Sequence, residues 1–206
     1  MSQFKKLATT LAIIAASVSC GDVVRQGRSS GYLVVDLLTA TRGGSQAGTP
    51  SGTLQSDVQT MVTTPAPCTV TAPCATVFND SGQATLRLSA KDASGVTQPS
   101  ANNDVTITRY RVSYRRTDGR NTPGVDVPYG FDGAATGTVQ TGSTLKLGFE
   151  LVRHTSKEES PLVQLITSPT IISTIADVTF YGRDQVGNEI NVTGSITIDF
   201  GNFGDQ

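Results

Sequence analysis

Tryptophan is absent, and histidine occurs once, at His154. A single imidazole makes a His-based metal site or a Ser-His-Asp triad a poor fit from the outset. Ser156, Glu158 and Ser160 lie near it in sequence, but no nucleophile-elbow motif surrounds them. His154 therefore reads as a surface residue at the end of a strand. The formal net charge is −1, so no basic field points to nucleic acid. Aromatic residues make up 6% and hydrophobic residues 37% of the 206 positions. Such a chain can bury a moderate core; it is neither a disordered polymer nor a membrane bundle. Carboxylates are scattered at Asp80, Asp118, Asp126, Asp132, Asp184 and Asp199, without the Asp-x-Asp-x-Asp-Gly spacing of a calcium loop. Turn chemistry accounts for them. No cofactor motif, metal site or catalytic constellation is expected.

What the chain does have is glycine, at 21 positions, with recurrent Thr, Ser and Val. That composition favours strands and turns. The clearest pattern is Ile171 to Phe200. Ile172, Ala176, Val178, Phe180 and Gly182 share one parity in its first half, and Ile190, Val192, Ile196, Ile198 and Phe200 alternate with polar residues in its second. Strict alternation predicts two half-buried strands. Asp184-Gln185-Val186-Gly187-Asn188 is the turn between them.

Further strands are expected at Tyr32 to Ala40, buried on both faces, and at Gln83 to Lys91 after a turn at Asn79-Asp80-Ser81-Gly82. Asp104 to Arg116 is the longest candidate. Its apolar parity changes from Val105 and Ile107 to Tyr110, Val112 and Tyr114, which a β-bulge near Thr108-Arg109 would explain. Val127 to Phe131 reads as a short edge strand, Thr138 to Gln140 as another, and Thr144 to Leu151 as a full one. Ser156 to Leu165 has apolar residues spaced by three, and predicts one short helix capped by Ser156 with Glu159 three residues on. Residues 41–74 form an embellished connection with an uncertain strand at Leu54 to Val62 and a Pro/Cys loop. No βα alternation is present, so an all-β fold of two antiparallel sheets packed face to face is expected.

The N-terminus has three parts: Lys5 and Lys6, a short apolar run from Leu7 to Val18, and Ser17-Val18-Ser19-Cys20. The run is too short to span a ~30 Å bilayer core comfortably, so residues 1–19 read as a signal peptide. The quartet ending at Cys20 resembles the lipobox of bacterial lipoproteins. It departs from the commonest form, which has Leu first and Ala or Gly just before the cysteine. The resemblance implies lipidation of Cys20, export to the cell envelope and anchorage to a membrane, with residues 20–30 as a flexible tether. An ordinary secretory signal with an incidental Cys20 is the alternative. In an oxidising compartment, Cys68 and Cys74 of CTVTAPC are expected to form a small disulfide loop; their spacing matches no zinc pattern.

The segments Ala176 to Phe200 and Arg109 to Gly119 look like the closing hairpin and the central strand of immunoglobulin-like or fibronectin type III-like modules. The likeness implies a β-sandwich over residues 31–206. The missing Trp and inter-sheet disulfide bring it closer to the fibronectin-like variant. Arg109, Arg111 and Arg115 share one parity of the central strand and, with Tyr129 and Tyr181, form the candidate ligand surface. A solvated face with cross-strand ion pairs is the plainer reading of the arginines. The expected function is non-enzymatic: a membrane-anchored binding or scaffolding module with a protein or glycan partner and no nucleic acid. A carbohydrate-binding adhesin is the alternative, and an accessory or inhibitory subunit of an envelope enzyme is the second.

Overall fold

The computed structural model describes residues 29–44, 48–91 and 100–204. Cys20, the expected signal peptide and nearly all of the expected tether lie outside the described residues. The described residues are predominantly β. The strands are β1 (Gly31–Thr41), β2 (Thr53–Asp57), β3 (Thr60–Val62), β4 (Cys74–Thr76), β5 (Asp80–Ala90), β6 (Val105–Arg115), β7 (Phe131–Val139), β8 (Thr144–Val152), β9 (Ile172–Asp184) and β10 (Glu189–Gly201). They form a three-stranded sheet in the order β1-β5-β8, a five-stranded sheet β2-β10-β9-β6-β7 and the small pair β3-β4.

The C-terminal hairpin forms as the alternation requires. Thr174, Ala176, Val178, Phe180 and Gly182 face the core, as do Ile196, Ile198 and Phe200. Asp184 accepts hydrogen bonds from the Val186 and Asn188 amides and from the Asn188 side chain, and Gly187 takes φ of 88°. The bulge in β6 falls between Ile107 and Arg109 and lets Val105, Ile107, Tyr110, Val112 and Tyr114 all point inward. The disulfide joins Cys68 to Cys74 across a Cα separation of 5.3 Å.

Side chains of the two larger sheets meet in one buried cluster. Tyr110 on β6 packs against Phe149 on β8, with ring centroids 5.2 Å apart, and Phe149 meets Phe180 on β9 at 5.3 Å. The Tyr114 hydroxyl donates to the Leu151 carbonyl at 2.7 Å, and the Tyr110 hydroxyl accepts from the Glu150 amide at 3.1 Å. Burial pushes both phenols above the usual tyrosine range, so they stay neutral hydrogen-bonding groups.

Several expectations are corrected. Tyr32 and Leu37 of β1 are exposed, because β1 is an edge strand with a bulge between Val35 and Leu37, not a strand buried on both faces. Asn79 to Gly82 is not a turn: β5 starts at Asp80, which is fully buried. Residues 127–130 lie outside the strands, and the edge strand is β7, which begins at Phe131. Its Gly-Ala-Ala-Thr-Gly centre has low β propensity, but the small residues have a packing reason. A β-carbon at Gly133 would overlap the Tyr110 ring, and one at Gly137 would crowd Leu145. The single helix predicted from Ser156 is instead a four-residue helix, α1 (His154–Lys157), followed by a 3-10 turn at Leu162–Ile166. Arg153, not Ser156, occupies the N-cap position. Leu162 and Leu165 are nevertheless buried, as their spacing indicates. The connection from 41 to 74 supplies β2, which lies parallel to β10 and covers its open edge; the sheets are therefore not wholly antiparallel.

The start of β5 carries a buried polar node. Asp80 Oδ2 lies 2.9 Å from Lys157 Nζ on α1 and accepts a 2.6 Å hydrogen bond from the Ser56 hydroxyl of β2. Asp80 Oδ1 accepts from the Gly43 amide at 2.8 Å. The Asp80 and Lys157 side chains are 0% and 1% exposed. One carboxylate thus gathers the loop after β1, β2, β5 and α1.

Two substitutions test the packing of the core, the first within the three-stranded sheet and the second between the two sheets. Gly82→Val would place side-chain atoms inside the Phe149 ring, and should destabilise the fold by about 1–3 kcal/mol. Tyr114→Phe removes the hydroxyl bond to Leu151 and should cost about 1 kcal/mol. Both are read as shifts in the urea midpoint. An unchanged midpoint for Gly82→Val would mean that β5 and β8 are not packed as described.

Candidate functional site

The water-facing parity of β6, β9 and β10 forms a continuous polar surface. Register sets its rows: Arg109 stands opposite Tyr181, and Tyr181 opposite Asn191; Arg111 stands opposite Thr179, and Thr179 opposite Thr193. The Arg109 guanidinium lies 3.7 Å from the centre of the Tyr181 ring. This stack holds the long side chain flat against the sheet and couples its charge to the ring face. Beside it is a depression of about 350 Å³ lined by Thr108, Arg109, Tyr181, Gly182, Arg183, Glu189, Ile190 and Asn191. The bulge in β6 falls immediately before Arg109. Gly182 contributes backbone to the depression; its missing side chain would point to the core, where a β-carbon would meet the Thr106 carbonyl.

The arginines are paired across strands. Arg109 and Arg111 share Asp132 of β7, at 3.3 and 3.0 Å. Arg115 bonds Asp177 at 2.7 Å, and Arg183 bonds Glu189 at 2.6 Å. Two guanidiniums on one carboxylate leave the Arg109–Arg111 end of the surface positive. Arg115 lies farther along the strand, in its own pair. Tyr129 sits on the loop before β7, packed against Gly124, and does not line the depression. The structure therefore brings together Arg109, Arg111 and Tyr181 of the sequence-based candidates and leaves Arg115 and Tyr129 apart. Arg183, Glu189 and Asn191 complete the depression and were not singled out. The alternation of the hairpin already assigned Arg183 and Tyr181 to one face; only the register with β6 and β10 shows which neighbours they have.

No family model, curated protein or solved structure matches the chain. Its chemistry must therefore be read from its own side chains. His154 is exposed at the first position of α1, immediately after β8. Asp118 accepts from Arg116 and Arg120, and those hydrogen bonds hold its carboxyl far below the usual range. Asp126 accepts from the Thr122 amide, and Asp199 from the Ser173 hydroxyl. Among the described residues no group of three or more His, Cys, Asp or Glu lies together as a metal site. The surface offers hydrogen-bond donors and a cation held over a ring. It can bind an anionic or polyhydroxylated group by hydrogen bonding.

Partial burial of Asp177 raises its pKa, but the bonds from Arg115 and Ser195 outweigh this and hold it below the usual carboxylate value. A depressed folded-state pKa contributes stability above the unfolded value and loses it as pH falls through the folded value. Asp177→Asn should therefore flatten the loss of stability between about pH 5 and pH 2. Urea midpoints measured across that window check it; parallel wild-type and variant profiles would contradict the assignment.

Proposed function

We propose that this chain is an exported, lipid-anchored protein of the bacterial cell envelope that binds a partner and catalyses no reaction. Its β-rich body is read as an immunoglobulin-like or fibronectin type III-like sandwich. Strand order supports that reading. Immunoglobulin-like folds place the first, second and fifth strands of the common order in one sheet, and the third, sixth and seventh in the other. With β1, β5 and β8 as the first set and β6, β9 and β10 as the second, β7 takes the place of the extra strand beside the third. Tyr110 sits on the central strand, where antibody domains carry their core Trp, and Phe149 and Phe180 fill the space around it.

The observation that carries the binding role is the Arg109–Tyr181 stack beside the 350 Å³ depression. A cation held flat on a ring is pre-organised, so little side-chain entropy is lost on contact. The net positive end at Arg109 and Arg111 favours an acidic protein or a phosphate-bearing glycan. It disfavours simple sugar stacking, because the Tyr181 ring face is already covered by Arg109.

The anchor is tested by detergent phase partitioning. The full-length protein expressed in a bacterial host should enter the detergent phase, and Cys20→Ala should remain aqueous. A Cys20→Ala protein that still partitions with membranes would sink the lipoprotein reading. The face is tested on a panel of acidic peptides and phosphorylated and neutral glycans. Arg109→Ala or Tyr181→Ala should weaken retention by roughly tenfold, the scale of losing one charge-assisted contact. Equal retention by wild type and both variants would move the binding surface elsewhere.

A further inference from the structure

The node at the start of β5 is built unlike an ordinary ion pair. A buried ion pair is generally no more stable than an apolar replacement, because both charges lose their hydration. Here an amine and a carboxyl group touch at 2.9 Å with essentially no solvent access to either. The two carboxyl oxygens have different partners. Among the described residues, Oδ1 accepts from the Gly43 amide, whereas Oδ2 faces both Lys157 Nζ and the Ser56 hydroxyl. A second carboxylate, Asp57, follows Ser56 at the end of β2, is itself buried, and lies close enough to favour charge on Lys157. Burial, the dominant influence, pulls the Lys157 ammonium below the usual lysine range.

We propose that Lys157 and Asp80 condense to an intramolecular amide that covalently ties α1 to the first residue of β5. In the first step a proton passes from Lys157 Nζ to Asp80 Oδ2 across their hydrogen bond, giving a neutral amine and a carboxylic acid. The Nζ lone pair then attacks Asp80 Cγ. Negative charge develops on Oδ1, where the Gly43 N–H donates. The Cγ–Oδ2 bond breaks, and Oδ2 leaves as water with the acid proton and one amine proton. Ser56 donates to this leaving oxygen, and Asp57, paired with Arg42 at 3.7 Å and close enough to act on the Lys157 charge, is the base assigned to carry the proton from nitrogen to oxygen. No oxidant, reductant or cofactor is consumed. Holding both groups in place supplies effective concentrations on the order of 10^5 M or more. The oxygen that stays is the one bonded to Gly43, so the amide carbonyl keeps its donor after reaction.

The test is a peptide map of the full chain, denatured, reduced and digested with trypsin. A linked protein yields residues 43–87 joined to residues 154–183, lighter by one water than the two together, with no cleavage after Lys157. Lys157→Arg and Asp80→Ala should each give only linear peptides, and Ser56→Ala should lower the linked fraction. The wild-type map decides even where a variant does not fold. Recovery of the free peptide 154–157 and an unlinked 43–87 from wild type, both fresh and after prolonged incubation, would overturn the proposal. So would a linked product that persists in Asp80→Ala.

Discussion

The two larger sheets depend on Tyr110 reaching across the core. Its ring contacts Phe131, Phe149 and Phe180, and its hydroxyl accepts from the β8 backbone. A chain without Trp and with its disulfide in a surface loop needs another way to hold the sheets in one alignment. Aromatic rings supply large buried area with angular preference, and the tyrosine hydroxyls add fixed hydrogen bonds. Tyr114 repeats the device one turn of the pleat away, bonding Leu151 and packing on Phe200. The glycines at 82 and 133 are the complement of this arrangement, since each clears the space that a ring occupies.

Beside that apolar centre lies a buried polar node centred on Asp80. Asp80 accepts from Ser56, Gly43 and Lys157, and so draws together segments far apart in sequence. A charged group is retained in a dry interior only when its partners are complete or when it has chemical work to do. The same node orients the short helix α1, which has too few residues to be stable alone. The crossover from β8 to β9 is thus held by a buried lysine and by Leu162 and Leu165, not by intrinsic helix propensity.

The outer surface of the five-stranded sheet answers to different rules. Its charges stand in water, where cross-strand ion pairs add little to stability. They shape a surface more than they stabilise a fold. The sheet beneath is rigid, so the Arg109–Tyr181 stack and the neighbouring Arg183–Glu189 pair keep fixed positions on it. A binding face on strands of this kind is more sharply defined than one carried on loops.

Much of the fold was legible because strand alternation is a local signal. The hairpin of β9 and β10, the bulge in β6 and the paired cysteines each depend on residues close together in the chain. The all-β class and the inward set of Val105, Ile107, Tyr110, Val112 and Tyr114 follow from the same periodicity. The turn expected at Asp80 and the helix cap expected at Ser156 misled for one reason: a polar residue near a glycine or an apolar run is read as a solvent-facing turn or cap. Only the tertiary structure decided that Asp80 and Lys157 are buried together, that the Gly-Ala-rich segment from Phe131 is a strand, and that Arg109 rests on Tyr181. Each of those depends on partners 19 or more residues distant along the chain, whose positions are set by strand register and by shape across the core, and neither is written in local periodicity.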